Sequence, residues 1–362
     1  MTKTRSATAW GAALAVLVLP GCATPARHPT LQPTATAAAP TVARLVTTAD
    51  KLGVPYEHFE VGDALGRTIT FYVSTPKAKD GSTGLAPLVL FIQGSGCGSV
   101  FNRGPDARIQ GGLQNMVRDA AKGRARVMVV EKPGVTFLDN PMPPGEATKC
   151  SESFNAEQTF DRWAAALSAA LRAAAELDGI DRGRVLVMGH SEGSLMAGRV
   201  AADNDELVTH VACLSGGGVT QLFDLAQLAW EAETADEPLA ARQARMDEIY
   251  ATWDKIRADP NSTTEFAWGH PYRRWASFFD ASLSEQLLRT KAKIYLVHGT
   301  ADKSTPVEGF DLLRAELSRR GRSFTSERIL GADHGYRQAG EQNWDGMRGV
   351  FERVLEWFLA TE

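Results

Sequence analysis

Ser191, Asp302 and His334 have the side chains with which a protein can activate a hydroxyl group for attack on a carbonyl carbon. A serine hydroxyl is a weak nucleophile, so it needs an imidazole as base and a carboxylate that orients the imidazole. Ser191 is the central residue of Gly-His-Ser-Glu-Gly, between Gly189 and Gly193. This short pattern can arise by chance in a chain with 33 glycines, so the surrounding sequence must decide whether Ser191 is a nucleophile or only caps a helix.

The sequence on both sides of Ser191 favours a nucleophile. The apolar run RVLVM before it predicts a buried strand, and the run SLMAGRVAAD after it predicts a helix. A strand, a tight turn and a helix form the nucleophile elbow, which exposes the serine hydroxyl above the carboxyl edge of a sheet. A helix N-cap does not need glycine on both sides. We therefore interpret Ser191 as the catalytic nucleophile.

The acid and the base follow Ser191 in the chain order that this arrangement requires. Asp302 lies in the loop after the predicted strand KIYLVHG, at the sheet edge where Ser191 is expected. His334 lies in a glycine-flanked loop after the run FTSERIL. Asp333 adjoins His334 and cannot easily fold back onto that imidazole, so Asp302 is the preferred acid.

Three further histidines are candidates for the base or for substrate contact. His190 adjoins the serine, but its side chain should point away in a tight elbow, so a packing role is favoured. His298 ends a core strand and is expected to be structural. His270 lies in a predicted insertion and is a candidate substrate contact.

Acyl transfer also needs N–H donors for the oxyanion that develops on the substrate. The backbone N–H of Glu192, directly after the nucleophile, is the first candidate. The second should come from the loop QGSGCGS after the third strand, with Ser95 as first choice and Gly96 as second. A phosphate-binding loop is the alternative interpretation, but no Lys-Ser or Lys-Thr pair follows, and no G-x-G-x-x-G opens a helix here.

Short apolar runs alternate with helical patterns along the chain, which indicates an α/β fold with a mostly parallel sheet. We expect eight strands, near YEHFEV, TITFYVS, PLVLFIQG, RVMVVEK, RVLVMGH, HVACLSG, KIYLVHG and FTSERIL. A helical cap is predicted at about 217–288, where no strand-like run occurs, with ADPNSTTEFAWGHPYRRW as an internal loop.

The predicted cap contains residues that bear on the substrate. Its aromatic side chains either line an apolar acyl pocket or only pack the cap; they are Trp230, Trp253, Trp268, Trp275 and Phe278. Its acidic side chains would favour a peptidase if they reached the site, because they would bind a substrate amine; they are Glu231, Glu233 and Glu265.

Four motifs in chain order, QGSG, GHSEG, HGTADKSTP and GADHGY, resemble the α/β-hydrolase superfamily over about residues 56–359. The resemblance implies the α/β-hydrolase fold and a serine hydrolase that cleaves esters through an acyl-enzyme, with no cofactor and no metal. Gln93 departs from the pattern, because many members have histidine there. The acidic Glu192 resembles carboxylesterase-like and prolyl-peptidase-like branches. A peptidase or amidase with the same triad is the nearer alternative, and a non-catalytic binding lipoprotein is the remote one.

The N-terminus resembles a bacterial lipoprotein signal. Basic residues precede a short apolar run, and residues 1–21 end in LPG before Cys22, which would carry the lipid; Pro20 is unusual at its position. An ordinary secretory signal, with no role for Cys22, is the alternative. The residues from 22 to 45 are rich in Pro, Thr and Ala and are expected to form a tether. Ala23 is not the aspartate that retains enterobacterial lipoproteins at the inner membrane, which favours the outer membrane facing the periplasm.

The composition of the chain limits the partners that we expect. With 39 basic against 43 acidic residues, the net charge of −4 argues against nucleic acid as a partner. The partners expected are a small ester or acyl substrate and, through the lipid anchor, a membrane; we expect a monomer.

The cysteines have different expected roles. In an oxidising compartment Cys97 and Cys150, both in loops, are candidates for a disulfide, whereas Cys213 lies in an apolar run and should pack in the core.

Overall fold

The computed structural model describes residues 42–75 and 84–360. Within these ranges the main sheet has nine strands rather than the eight predicted, because Arg44–Thr47 adds an edge strand. This strand is short and largely exposed, so it lacks the buried apolar run by which the others are recognised. Its first two residues, Arg44 and Leu45, belong to the segment predicted as a tether.

The strands of the described ranges are β1 (Arg44–Thr47), β2 (Tyr56–Gly62), β3 (Thr68–Ser74), β4 (Ala86–Ile92), β5 (Phe101–Arg103), β6 (Ile109–Gly111), β7 (Arg126–Val130), β8 (Ile180–His190), β9 (His210–Leu214), β10 (Phe266–Ala267), β11 (His270–Pro271), β12 (Lys293–Gly299) and β13 (Thr325–Ile329). The order in the main sheet is β1-β2-β3-β7-β4-β8-β9-β12-β13. Six neighbouring strands of this sheet are parallel to one another, namely β7, β4, β8, β9, β12 and β13. The three strands at the other edge, β1, β2 and β3, pair in antiparallel fashion. The small pairs β5-β6 and β10-β11 lie outside this sheet.

The helices of the described ranges are α1 (Ala49–Leu52), α2 (Leu113–Ala121), α3 (Glu152–Glu157), α4 (Phe160–Ala175), α5 (Glu192–Asp203), α6 (Gln221–Trp230), α7 (Leu239–Ala258), α8 (Tyr272–Phe279), α9 (Leu283–Arg289), α10 (Val307–Arg319) and α11 (Asp345–Leu359).

The central strands are apolar on both faces because helices cover both faces of the sheet. In β4, Leu88 and Leu90 belong to a core that also contains residues of α4, α5 and α9. Their neighbours Val89 and Phe91 belong to the core on the other face, with residues of α2 and α11. The parallel strands therefore deliver their carboxyl ends to one edge, where loops can meet.

The segment predicted as a cap contains α6, α7, α8 and the β10-β11 pair. The run ADPNSTTEFAWGHPYRRW is not simply a loop, because Trp268 (φ 44°) and Gly269 (φ 78°) form a tight turn between β10 and β11, after which α8 begins. The last helix of the predicted segment, α9, instead packs against α5: a side chain at Gly198 would meet Leu283.

Several predicted features fall outside the described residues, namely the signal segment 1–21, the lipidation site Cys22 and most of the tether. Across 42–75 and 84–360, no helix is both long enough and apolar enough to cross a membrane. The same ranges hold no group of His, Cys, Asp and Glu side chains arranged to bind a metal ion.

Candidate active site

Ser191 lies between β8 and α5 with φ 58° and ψ −128°, a strained backbone conformation for a residue with a side chain. The neighbouring backbone lies so close to Gly189 and Gly193 that a larger residue would not fit at either position. A Cβ atom at Gly189 would lie 1.9 Å from the carbonyl oxygen of Gly193, and one at Gly193 would lie 2.3 Å from that of Ile92. The turn therefore has the tight geometry of a nucleophile elbow, as its sequence predicts.

Asp302 and His334 are joined directly. The Nδ1–H group of His334 donates to Oδ2 of Asp302 at 2.7 Å, and the backbone N–H groups of Ser304 and Thr305 donate to Oδ1 at 2.8 and 3.0 Å. Burial alone would raise the pKa of Asp302, but the hydrogen bond and the positive field of His334 hold it below its ordinary value. The carboxylate is thus ionised and can fix the orientation of the imidazole.

The loop that carries His334 is tied to the elbow through His190. The ring of His190 lies 4.8 Å from the ring of His334, and its Nε2–H group donates to the carbonyl oxygen of His334 at 2.9 Å. Burial, followed by the proximity of His334, lowers the pKa of His190 to about 4, so this ring is neutral near pH 7. His190 therefore packs beneath the site.

His298 and Asp333 take structural positions as well. His298 is fully buried and donates from Nε2 to the carbonyl oxygen of Thr305 at 2.9 Å. Asp333 accepts hydrogen bonds from the backbone N–H groups of Gly335 and Arg337 at 2.8 and 2.9 Å, so it stabilises its own turn. The carboxylate that meets the imidazole of His334 is that of Asp302.

The two predicted oxyanion donors lie on the loop after β4 and at the start of α5. Glu192 is the first residue of α5, so its N–H group has no acceptor within the helix. Ser95 lies between Gly94 and Gly96, and Nζ of the buried Lys132 donates to both flanking carbonyl oxygens, at 2.6 and 2.8 Å. Lys132 therefore holds the loop on either side of Ser95.

The side chain of Glu192 is buried and connects Lys132 to the cap. Its Oε2 accepts from the guanidinium of Arg274 in α8, its Oε1 accepts from Nε2 of Gln158 at 3.2 Å, and Nζ of Lys132 lies 3.8 Å from Oε1. Burial would raise the pKa of Glu192, but Arg274 and then Lys132 lower it to about 2. Burial lowers the pKa of Lys132 to about 8.

A pocket of about 220 Å³ opens beside the nucleophile, and both Ser191 and Ser95 line it. One group of its lining residues is apolar and includes Trp268, Trp275, Leu195, Leu225 and Leu228. A second group is polar and includes Glu192, Asp224, His270 and Arg274. The pocket can therefore hold an acyl group that combines hydrocarbon with a polar terminus.

The predicted cap residues divide into pocket-lining and packing residues. Besides His270, Trp268 and Trp275 line the pocket. Trp253 instead packs on Phe279, Phe278 packs on Trp163, and Trp230 is 37% exposed. The acidic candidates lie elsewhere. Glu231 pairs with Lys303, Glu233 lies 3.8 Å from Arg245, and Glu265 is exposed.

Cys97 and Cys150 form a disulfide in the structure, with an S–S distance of 2.06 Å. It closes a loop between the oxyanion segment and the segment before α3. Cys213 is a buried free cysteine in β9, consistent with its expected packing role.

Three residues that line the pocket or hold the loop beside it are not identified by the sequence analysis, namely Lys132, Asp224 and Arg274. The signal for Lys132 was present, because the pair Glu131-Lys132 directly follows a fully buried strand. Asp224 is the one acidic residue of the largely apolar helix α6, Arg274 lies in a helix of mixed polarity, and only the packing of the cap shows that both side chains are buried.

Comparison with known proteins identifies the family of the chain. Residues 157–361, more than half of the chain, match the prolyl oligopeptidase family, and this stretch includes Ser191, Asp302 and His334. A search among curated protein sequences finds no match.

Solved structures share the fold at low sequence identity. A puromycin-hydrolyzing peptidase of Mycobacterium tuberculosis is 16% identical with a TM-score of 0.52, and the match covers 83% of this chain and 38% of that one. The Pyrococcus horikoshii acylaminoacyl peptidase is 15% identical with a TM-score of 0.56, covering 84% and 41%. Est1E from Butyrivibrio proteoclasticus, solved with ferulic acid bound, is 15% identical with a TM-score of 0.54, covering 83% and 98%. The chain thus has the expected α/β-hydrolase fold and spans well under half the length of these two peptidases.

Proposed function

Since the chain belongs to the prolyl oligopeptidase family and is a serine hydrolase of that family, we propose that it cleaves carboxylic esters with Ser191 as the nucleophile. The observation that carries the proposal is the hydrogen bond from His334 to the ionised Asp302, combined with the elbow that holds Ser191. Acyl transfer requires an imidazole with a fixed tautomer and an accessible serine, and Ser191, on its strained turn, lines the pocket.

The proposed reaction has two stages. The Oγ atom of Ser191 attacks the ester carbonyl carbon while Nε2 of His334 takes the hydroxyl proton, and the N–H groups of Ser95 and Glu192 donate to the developing oxyanion. The C–O bond to the leaving alcohol then breaks, the imidazolium returns its proton to the alcohol, and an acyl-enzyme remains. Water, deprotonated by His334, attacks the acyl-enzyme, so the acid leaves and Ser191 is restored.

A peptidase or amidase activity of the same residues is the second candidate. The family match and the peptidases among the structural neighbours favour it. Two observations favour an ester instead: Glu231, Glu233 and Glu265 are not among the residues that line the pocket, and Est1E is matched over nearly its whole length. A panel of aryl esters and aminoacyl arylamides with the same acyl groups distinguishes the two activities.

The experiment that tests the mechanism is the substitution Ser191→Ala, measured with a short-chain aryl ester and with a fluorophosphonate probe. We expect turnover to fall by at least about 10⁴-fold and labelling to disappear, while the melting temperature stays near that of the wild type. Ser318→Ala, at an exposed serine of α10, is the matched control and should keep both signals. Full activity of the Ser191→Ala protein would show that another group is the nucleophile, and the absence of labelling in the wild type would favour a binding protein.

We also propose that the protein is exported and anchored to a membrane through a lipid on Cys22, with the outer membrane as the favoured location. The support is the sequence alone, in the basic residues, the short apolar run and the LPGC stretch before a Pro-, Thr- and Ala-rich segment. A catalytic domain held near a membrane in this way would act on periplasmic substrates.

A further inference from the structure

Arg274 is one of the residues that line the pocket beside Ser191, and the hydrogen-bond donors of its guanidinium are only partly satisfied. Its Nη2 donates to Glu192, but its Nε and Nη1 have no hydrogen-bond partner among the residues that the structure describes. The side chain is 2% exposed, and its central carbon lies 3.9 Å from the ring centre of Trp275 and 4.4 Å from that of Phe278. Buried donors without an acceptor are costly, so these two donors indicate a ligand group that the pocket is built to receive.

The charges around Arg274 favour an anionic acceptor. At pH 7, Lys132 and Arg274 carry two positive charges, and Glu192 supplies one negative charge between them. Burial, followed by the positive charge of Arg274, lowers the pKa of His270 to about 3, so that ring adds no charge. Burial raises the pKa of Asp224 to about 8, so this pocket carboxyl is protonated and does not repel an anion. The cluster of Lys132, Arg274 and Glu192 therefore has a net charge of one positive unit.

We propose that the pocket binds an acyl chain that ends in a carboxylate, and that Arg274 selects it. The inference rests on the proposed function, because it assigns the acyl group of the ester that Ser191 attacks. Apolar residues such as Leu195 and Trp268 line the same pocket and would cover the methylene groups between the ester and the carboxylate. The substrate class is then a half-ester of a short dicarboxylic acid, with one carboxyl group esterified and the other ionised.

Three ethyl esters with the same leaving group test this selection. They are the monoethyl ester of glutaric acid, its analogue with a neutral terminal amide, and an analogue that ends in a primary amine. The wild type should hydrolyse the carboxylate ester with a kcat/KM about tenfold or more above that of the amide ester, because arginine attracts an ionised carboxylate more strongly than a neutral amide oxygen. The amine ester should be the poorest substrate, because its charge repels the cluster.

Substitutions at Arg274 should change this ratio specifically. Arg274→Gln should bring the ratio of the two kcat/KM values close to one, and Arg274→Lys should keep part of it, because lysine retains the charge but not the forked donors. Arg257→Gln, at an exposed cap arginine that pairs with Asp254, is the matched control and should leave the ratio unchanged. The ratio does not depend on the fraction of folded enzyme, so a partly unstable variant still gives a valid result.

Binding is measured separately in the Ser191→Ala protein. The glutaric half-ester should raise its melting temperature, and the amide analogue should do so much less. Equal hydrolysis of the carboxylate and amide esters by the wild type, or faster hydrolysis of the amine ester, would overturn the inference and leave the proposed function intact. If none of the esters is hydrolysed and Ser191 does not react with a fluorophosphonate, the proposed function fails; the melting temperatures then still decide whether the pocket selects a carboxylate.

Discussion

Asp302 is buried, and yet it is ionised. Its Oδ2 accepts from His334 at 2.7 Å and from the hydroxyl of Thr305 at 2.9 Å. The hydrogen bond and the charge of His334, followed by the hydrogen bond from the backbone N–H group of Thr305, outweigh the effect of burial and lower the pKa of Asp302. Under the proposed mechanism, Asp302→Asn should reduce kcat by roughly 10³- to 10⁴-fold, because an amide cannot hold the imidazole in the required tautomer. Steady-state hydrolysis of an aryl ester gives the value.

The matched control for this prediction is Asp333→Asn, which changes the neighbouring acid in the same way. An asparagine there keeps the acceptor for the N–H groups of Gly335 and Arg337, so activity should stay within about threefold of the wild type. A large loss in Asp333→Asn with little loss in Asp302→Asn would reverse the assignment of the acid.

Asp224 provides a prediction about pH and stability. Its carboxyl group is 4% exposed, its Oδ1 has no hydrogen-bond partner within the described part of the chain, and burial raises its pKa from 3.8 to about 8. Between these values the folded protein holds a proton that the unfolded chain has lost. The proton on Asp224 therefore stabilises the folded state fully below about pH 4. As the pH rises from there towards 8, this contribution to the unfolding free energy falls by about 1.4 kcal/mol per pH unit.

Asp224→Asn should remove this dependence. The difference in unfolding free energy between the variant and the wild type, measured in urea from pH 4 to 8, should shift steadily in favour of the variant as the pH rises. Asp236→Asn, at an exposed cap residue, should show a difference that does not change with pH. A flat profile for Asp224→Asn would mean that this carboxyl titrates normally.

At the scale of elements, the site depends on a lysine that joins three parts of the fold. Lys132 follows β7, binds the loop after β4 through Gly94 and Gly96, and lies 3.8 Å from Glu192 at the start of α5. Its Nζ also lies 4.4 Å from the ring centre of Trp163 in α4. The oxyanion loop is thus held from both sides of Ser95 by one buried ammonium group.

Lys132→Met should therefore act mainly on the chemical step. With a neutral short-chain aryl ester as substrate, we expect kcat to fall by about ten- to hundredfold, less than the loss when an oxyanion donor itself is removed, while KM changes by less than about threefold. Lys255→Met, at an exposed position of α7, is the control and should change neither value. If kcat/KM falls by the same factor because KM rises while kcat is unchanged, Lys132 supports substrate binding rather than the loop.

The elements that could be predicted are those whose signals are local. The buried parallel strands at the centre of the sheet are continuous apolar runs, and the loops with Ser191 and Asp302 follow such runs directly, whereas His334 follows the partly exposed edge strand β13. The edge strand β1 has no such run, and the pairing of Glu192 with Arg274 joins residues 82 positions apart. Such pairings depend on how the cap packs, and no short stretch of sequence carries that information.

For the whole molecule, the sheet and its cap together form the pocket beside the nucleophile, and residues of α6 and α8 line it. The cap supplies Asp224 and Arg274, and the parallel sheet supplies Ser191, Asp302 and His334. In our proposal, the reaction chemistry and the substrate choice lie on different parts of the same domain, so substitutions in the cap should alter specificity without removing the reactivity of Ser191.

The location of the whole molecule depends on Cys22 in our proposal. Cys22→Ala should abolish incorporation of a palmitate analogue and move the protein from the detergent phase to the aqueous phase, because a lipidated N-terminus is what anchors it. Labelling of cells followed by phase partition measures both effects. Thr24→Ala, two residues further on, should leave labelling and partition unchanged. If the Cys22→Ala protein is exported and distributed like the wild type, the N-terminus is an ordinary secretory signal, and the hydrolase acts as a protein released from the membrane.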